Sequence, residues 1–142
     1  MQKSSHSVYA LYYHLILTVK YRKKLMPIYD QFIKDQIMKV AEKQNFSIEK
    51  MESDQDHIHI LVSAHPRISP YQILSLIKQH TTYELWQTYP DQLRKEFWKE
   101  HIFWTRSNFI SSIGSVSKEA IERYIANQGG SSSKLKHRGF AA

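Results

Sequence analysis

Two histidines separated by one residue give this sequence its clearest chemical signal. The segment 56–62 reads Asp-His-Ile-His-Ile-Leu-Val, in which polar and apolar residues begin by alternating. Such alternation is typical of a half-buried β-strand, so Ile58 and Ile60 would face a core. His57 and His59 would share the other face, roughly 6–7 Å apart along the strand. Two imidazoles on a rigid strand can bind a metal ion, although the same pattern fits a strand with ordinary surface histidines.

A second pair of polar side chains lies near the C-terminus. Tyr124 and Gln128 are four residues apart, so they share one face of a predicted helix. The Gln128 amide oxygen and two imidazole nitrogens would form a ligand set that suits Mg²⁺ or Mn²⁺ and leaves positions for phosphate oxygens. The phenol oxygen of Tyr124 would then attack the phosphodiester once it is activated. Tyr124 also fits an apolar stripe with Ile121 and Ile125, so packing in a core is the alternative interpretation.

Composition limits the kinds of protein that this chain can be. It has 142 residues, 42% of them hydrophobic, and no cysteine, which predicts a globular domain without disulfides or a thiolate zinc site. No apolar run approaches the ~20 residues of a membrane span, and no signal peptide is recognisable. We therefore expect a cytoplasmic protein without a membrane partner. The net charge of +7 and the aromatic content of 13% favour a nucleic acid partner, although a protein can be basic without one.

The remaining strands are predicted from alternation and residue type. Residues 11–19 alternate apolar and polar positions, and a second strand begins at Phe46 with a bulge before Met51. This strand and the histidine strand are close enough in sequence to form a hairpin. The segment 102–113 is rich in aromatic and β-branched residues, which predicts one or two further strands.

Three helices are predicted from capping residues and apolar spacing. The first covers 30–44 and begins at Asp30, the second runs from the capping box at Ser69 to before Pro90, and the last covers 117–128. A short helical turn could also begin at Asp91. The resulting order predicts an α+β fold, a ferredoxin-like (RRM-like) antiparallel sheet with helices on one face and a C-terminal catalytic helix. We expect a single domain over residues 1–128 and a flexible basic tail over 129–142.

A group of cationic residues follows the first strand. Such a group can contact DNA phosphates, although charge runs are also typical of solvated surfaces. The candidates for DNA binding, chosen by charge and position, are Lys20, Arg22, Lys23, Lys24 and Lys78.

The motifs together resemble those of a known family. His57-Ile58-His59 resembles the HUH motif (histidine, hydrophobic, histidine) of single-strand nucleases, and the Tyr-x-x-x-Gln of residues 124–128 resembles the catalytic helix of the IS200/IS605-family TnpA transposases, the single-tyrosine (Y1) class. Segments 14–23 and 104–114 look like that family's opening strand and the segment before its catalytic helix. The resemblance covers roughly residues 10–128, and the motifs are specific as a set.

This resemblance implies a mechanism. His57, His59 and Gln128 would bind a divalent metal, Mg²⁺ or Mn²⁺, and Tyr124 would attack single-stranded DNA to give a 5′-phosphotyrosine and a free 3′-OH. Strand exchange would excise and insert a transposon with hairpin ends. Family members act as homodimers, and in several the catalytic helix docks on the partner's histidines. Gly114 and Ser115 would form the hinge for that movement, where the family often has two glycines.

Other functions remain open on the sequence alone. The chain could be an HUH-type single-strand nuclease, or a repetitive-element relative that no longer mobilises an element. It could be a zinc hydrolase that uses His57, His59 and a third histidine such as His14 or His101. It could also be a non-catalytic RNA-binding module, which would leave the histidine pair and the Tyr-x-x-x-Gln motif without a role.

Overall fold

The computed structural model describes residues 10–114, and their elements follow the predicted order as far as Gly114. The predicted final helix over 117–128 and the tail over 129–142 lie outside the described residues. The strands are β1 (Leu11–Thr18), β2 (Ser47–Ser53), β3 (His57–Ala64) and β4 (Phe109–Gly114). The helices are α1 (Met26–Gln44), α2 (Pro70–Thr88) and α3 (Pro90–Phe97), and a 3-10 turn covers Lys20–Arg22.

The four strands form one antiparallel sheet in the order β2-β3-β1-β4, so the histidine strand is internal, as predicted. Residues directly opposite each other share a face of the sheet. Leu15 of β1 lies opposite Ile60 of β3, and Ile16 lies opposite His59. The register of β2 on β3 shifts between Ile48 and Lys50, which confirms the predicted bulge.

The sheet buries one face against α1 and α2. Ile58, Ile60 and Val62 are fully buried, and they join the core with apolar residues of β1 and of both long helices. The alternation that predicted this face is therefore confirmed. His57 and His59 project from the other face, because successive side chains of a strand point in opposite directions.

The start of α2 is confirmed in atomic detail. Ser69 Oγ accepts a hydrogen bond from Gln72 N at 3.0 Å, and Gln72 Oε1 accepts one from Ser69 N at 3.1 Å. Pro70 occupies the first turn. This capping box satisfies two backbone donors and fixes where the helix begins, an effect that is typically worth about 1 kcal/mol.

Two other boundaries differ from the prediction. The first helix begins at Met26 rather than at Asp30. Pro27 lies in its first turn, where a missing backbone N–H costs no helical hydrogen bond, so the helix can begin before Asp30. Asp91 lies within the first turn of α3, and Tyr89 occupies the capping position.

The segment before β4 is less regular than predicted. Of residues 102–113, only Phe109 onward belongs to a strand. The preceding residues 101–108 pair with the sheet through one isolated bridge, between Val19 and Trp104. Aromatic composition indicates a strand here, but the Trp104 ring donates to Thr81 of α2 and the Phe103 ring packs against Tyr29 of α1 and Phe97 of α3. None of the helices within residues 10–114 has the length and apolar character that a membrane span requires.

The core assignment predicts how two isoleucines will differ. Ile60→Ala should lower the free energy of unfolding by about 2–5 kcal/mol, since it leaves a cavity at a fully buried position. The matched control is Ile28→Ala on α1, where the side chain is 66% exposed, and the change should be within about 0.5 kcal/mol. Urea denaturation measures both values. Equal losses for the two variants would contradict this core.

Candidate functional site on the histidine face of the sheet

The candidate site lies on the sheet face opposite α1 and α2, which we call the histidine face. It is defined by His57 and His59 of β3 and by their neighbours on β1. His59 lies opposite Ile16, and His57 lies opposite Thr18. His57 is 6% exposed and His14, on the same face of β1, is 1% exposed. His57 and His14 therefore lie in surroundings with little water, whereas His59 is half-buried.

The two imidazoles converge. Their ring centroids are 4.9 Å apart and their planes are inclined by 32°. With metal–nitrogen distances of about 2.1 Å, the ring centres of two histidines that bind one ion lie on the order of 5 Å apart. The spacing of His57 and His59 therefore fits two ligands of a single ion.

A carboxylate fixes the proton on one of these rings. Asp56 Oδ1 lies 2.8 Å from Nδ1 of His57, and Asp56 Oδ2 accepts a hydrogen bond from Arg22 Nε at 2.9 Å. Burial alone would raise the pKa of Asp56, but its hydrogen bonds to His57 and Arg22 and the positive charge of Arg22 hold that pKa below its usual value. An ionised carboxylate only accepts, so Nδ1 of His57 must donate.

This arrangement determines which nitrogen of His57 is available. In the neutral ring, a proton on Nδ1 leaves the lone pair on Nε2, which can then bind a cation. Histidine ligands of metals are commonly oriented in this way by a carboxylate on the other ring nitrogen. Sequence reasoning missed this role of Asp56 and Arg22, although an aspartate directly before the His-x-His motif was a visible signal.

Arg22 is itself held in an unusual backbone turn. Tyr21 and Arg22 have φ angles of 62° and 53°, in the left-handed region that is uncommon for residues other than glycine. The end of α3 supports this turn, because Lys23 Nζ lies 3.2 Å from Glu96 Oε1 and the Tyr21 ring stacks on Phe97 at 6.5 Å. A conformation with this strain persists only when its surroundings hold it. The turn therefore places Arg22 on Asp56.

The predicted DNA-binding residues fall into two places. Lys20, Lys23 and Lys24 lie in or beside the turn with Arg22, next to the histidine strand. Lys78 lies on α2, on the other side of the sheet. Its ammonium donates to Thr105 O, Ser107 O and Asn108 Oδ1 at 2.9, 3.0 and 2.9 Å. Burial lowers the pKa of Lys78, and these three contacts give it a role in fixing the loop before β4.

The remaining predicted site residues are only partly placed. Tyr124, Gln128 and Ser115 lie outside the described residues, while Gly114 is the last residue of β4 and pairs with Tyr12. The structure therefore brings His57 and His59 together, and the predicted roles of Tyr124 and Gln128 stay predictions.

The zinc hydrolase alternative finds no support among the described residues. Within residues 10–114, no three His, Cys, Asp or Glu side chains are grouped so that they could hold a metal ion. His101 stacks on Trp86 of α2, with ring centroids 4.3 Å apart. His14 does not complete a group of three with His57 and His59 either.

Comparison with known proteins decides the family. A family model described as "Transposase IS200 like" matches residues 7–128 of the chain. This chain belongs to the IS200-like (Y1) transposase family. The ISDra2 transposase TnpA of Deinococcus radiodurans is 30% identical over 130 residues, covering 90% of this chain and 91% of that protein. The transposase for insertion sequence element IS200 of Salmonella typhimurium is 25% identical over 125 residues, covering 87% of this chain and 80% of that one.

Solved structures show the same fold. A protein from Deinococcus radiodurans, described as a transposase, superposes with a TM-score of 0.67 and 26% identity, over 90% of this chain and 98% of that chain. A REP-associated tyrosine transposase bound to a REP hairpin superposes with a TM-score of 0.57 and 14% identity, over 87% of this chain and 67% of that chain. The protein is thus an enzyme of the class that cleaves and rejoins DNA, and its family generally depends on a divalent metal.

The buried histidine of β1 gives the transposase a predictable response to acid. Burial lowers the pKa of His14 from 6.5 to about 4. Between these two pH values the unfolded chain takes up a proton that the folded chain does not, so stability should fall as the pH falls through this window. One such group lowers the free energy of unfolding by up to about 1.4 kcal/mol for each unit by which the pH falls. Urea denaturation at a series of pH values measures the slope.

Two histidine variants test this assignment. His14→Gln should flatten the slope between pH 6.5 and 4, since the titrating group is gone. The same substitution at exposed His65 should leave most of the slope in place. An unchanged slope in the His14 variant would show that another group causes the acid response.

Proposed function

We propose that this transposase cleaves and rejoins single-stranded DNA with Tyr124 as the nucleophile, assisted by a divalent metal that His57, His59 and Gln128 hold. The observation that supports it most is the convergence of two imidazoles at 4.9 Å, with the proton of His57 placed on Nδ1 by Asp56. A surface histidine pair needs neither the spacing of shared ligands nor a carboxylate hydrogen-bonded to one of its rings. Family membership supports the reaction class.

The residues of the chain suit Mg²⁺ or Mn²⁺. Nε2 of His57 carries the lone pair, His59 supplies a second nitrogen from the same face of β3, and the amide oxygen of Gln128 completes a mixed ligand set. A bound cation of this kind stabilises negative charge on a phosphate that is being cleaved. Asp56 keeps the His57 ring oriented, and Arg22 keeps Asp56 ionised and in place.

The chemical step is a transesterification. The Tyr124 oxygen loses its proton and attacks the phosphorus of a phosphodiester, the bond to the 3′ oxygen breaks, and that oxygen leaves as a free 3′-OH after it is protonated. The 5′ phosphate stays on the tyrosine. Attack of a 3′-OH on this phosphotyrosine reverses the step, so strand exchange needs no nucleotide cofactor because the number of phosphoester bonds is unchanged.

We further propose that the DNA ends are hairpins and that the enzyme acts as a homodimer in the cytoplasm of a prokaryotic cell. A solved transposase of the same fold is bound to a REP hairpin, which supports a hairpin substrate. One tyrosine per chain must serve two DNA ends, which favours a dimer. Gly114 and Ser115 would let the helix of Tyr124 reach its own or the partner's histidines. Phosphate contacts are assigned to Lys20, Arg22, Lys23 and Lys24.

Replacing the nucleophile tests the proposal. Tyr124→Phe should abolish the covalent protein–DNA adduct while binding of the same strand is retained, since only the phenol oxygen is removed. A denaturing gel with a labelled single strand that carries a transposon end detects the adduct. Tyr89→Phe, on the helix side of the sheet, is the matched control and should form it normally. An adduct formed by the Tyr124 variant would refute the assignment.

Replacing the carboxylate tests how His57 is oriented. Asp56→Asn should weaken Mn²⁺ binding about 10- to 100-fold, as expected when the outer partner of a histidine ligand is lost. Titration followed by the EPR signal of free Mn²⁺ measures this, and ¹⁵N NMR of the metal-free protein reports which His57 nitrogen carries the proton. Asp91→Asn, at an 87% exposed side chain, is the control. Unchanged Mn²⁺ affinity together with an unchanged tautomer would contradict this role for Asp56.

A further inference from the structure

The Arg22 side chain has more hydrogen-bond donors than the fold uses. Within residues 10–114, its one side-chain hydrogen bond runs from Nε to Asp56 Oδ2 at 2.9 Å. A guanidinium group carries further N–H donors on its terminal nitrogens, Nη1 and Nη2. The arginine side chain is 72% exposed, whereas that of Asp56 is 14% exposed. The terminal nitrogens of Arg22 are therefore accessible to a ligand.

Stability alone does not explain why Arg22 is held in this position. An ion pair with one partner so exposed adds little to stability. Tyr21 and Arg22 both have left-handed backbone angles, with φ of 62° and 53°, and such strain costs more than an exposed ion pair contributes. Strained residues of this kind cluster at functional sites. The turn is therefore better explained by a ligand of Arg22 than by the stability of the fold.

Arg22 lies at one end of a continuous path of hydrogen bonds. Its Nε donates to Oδ2 of Asp56, and Oδ1 of the same carboxylate accepts from Nδ1 of His57 at 2.8 Å. Nε2, on the far side of the His57 ring, is the nitrogen that faces a cation in the proposed function. Two hydrogen bonds and one carboxylate thus connect an exposed guanidinium with a proposed metal ligand.

We propose that Arg22 binds a backbone phosphate of the single DNA strand through Nη1 and Nη2 while its Nε stays on Asp56. The planar guanidinium can hold acceptors on two of its edges at the same time. The phosphate fixes the guanidinium, the guanidinium fixes the carboxylate, and the carboxylate fixes the His57 ring. DNA and the divalent metal therefore strengthen each other's binding, because the coupling between two ligands is reciprocal.

This inference rests on the proposed function, in which His57 holds the metal, and it separates Arg22 from the neighbouring cations. Lys23 Nζ lies 3.2 Å from Glu96 Oε1, and Lys20 Nζ lies over the Tyr21 ring at 5.5 Å. Among the described residues, no lysine forms an ion pair with Asp56. These lysines can contact phosphates, but they do not act on His57. Arg22 binds the DNA and is also a positioning residue for the metal site.

Salt dependence tests the phosphate contact in the metal-free protein. The probe is a fluorescein-labelled oligothymidine of about 16 nucleotides, a length that covers typical single-strand sites. Arg22→Gln should make the slope of log Kd against the logarithm of salt concentration shallower by about 0.7, the value for one phosphate contact on a single strand. Arg94→Gln, the same charge change on α3, should leave the slope unchanged. An unchanged slope in the Arg22 variant would overturn the proposal.

Mn²⁺ titrations with and without the oligothymidine test the coupling. They use Tyr124→Phe protein, which leaves the strand intact, and the EPR signal of free Mn²⁺ gives the affinity. Saturating DNA should tighten Mn²⁺ binding roughly 5- to 150-fold. Arg22→Lys keeps the charge but cannot hold Asp56 and a phosphate together, so it should reduce this gain by a factor of about 5. Lys24→Gln removes a nearby charge without touching Asp56 and should retain the gain.

The outcomes distinguish this inference from the proposed function. An equal gain with arginine and lysine at position 22, or no gain at all, overturns the inference, and a Tyr124 adduct in the unaltered protein then leaves the proposed function standing. A gain that depends on Arg22, in a protein that forms no Tyr124 adduct, overturns the proposed nucleophile and supports the role of Arg22.

Discussion

The hydrogen bond between Asp56 and Nδ1 of His57 is the interaction on which the histidine face depends. It connects a carboxylate in the turn before β3 with the first imidazole of the strand, and it decides which nitrogen of that ring is free. Arg22 holds the other oxygen of the same carboxylate. A metal site needs its histidine rings fixed in this way, because a histidine that can rotate or change its tautomer is a poor ligand.

The rest of the fold keeps these groups in register. β3 lies between β2 and β1, so its backbone is hydrogen-bonded on both sides, and Val19 N donates to Asp56 O at 2.8 Å just beyond the end of β1. Beyond this point the chain turns through Tyr21 and Arg22, and α3 holds that turn through Glu96 and Phe97. The short helix α3, for which Asp91 was the only sequence signal, thus helps to position Arg22 at the candidate site.

Elements governed by local rules were predictable. Alternation identified the core face of β3, the phase change identified the bulge in β2, and the capping box at Ser69 identified the start of α2. Each of these signals depends on residues near one another in sequence. The predicted start of α1 is wrong because the capping side chain of Asp30 outweighed the signal of Pro27, and a proline is well suited to a first helical turn.

Elements governed by long-range contacts were not predictable. The segment 102–108 has the composition of a strand, but it stays irregular because its partners lie on the helices: Ile102 O and Trp104 bond to α2, and Phe103 packs against α1 and α3. Charge and position identified Lys78 and Arg22 as candidate DNA contacts, but they could not reveal the protein acceptors of these side chains. Thr105 O lies 27 residues from Lys78 in sequence, and Asp56 lies 34 residues from Arg22. The histidine pair was recognisable by type and spacing, but its distance and its tautomer depend on tertiary structure.

The most direct test of the account is whether one cation binds next to His57, His59 and Tyr124 together. Substoichiometric Mn²⁺ added to protein with labelled histidine and tyrosine broadens the NMR signals of nearby nuclei. The account predicts that, of the 8 histidines, those at 57 and 59 lose their signals first, together with the ring of Tyr124. Sharp signals from His57 and His59 while other histidines broaden would contradict it.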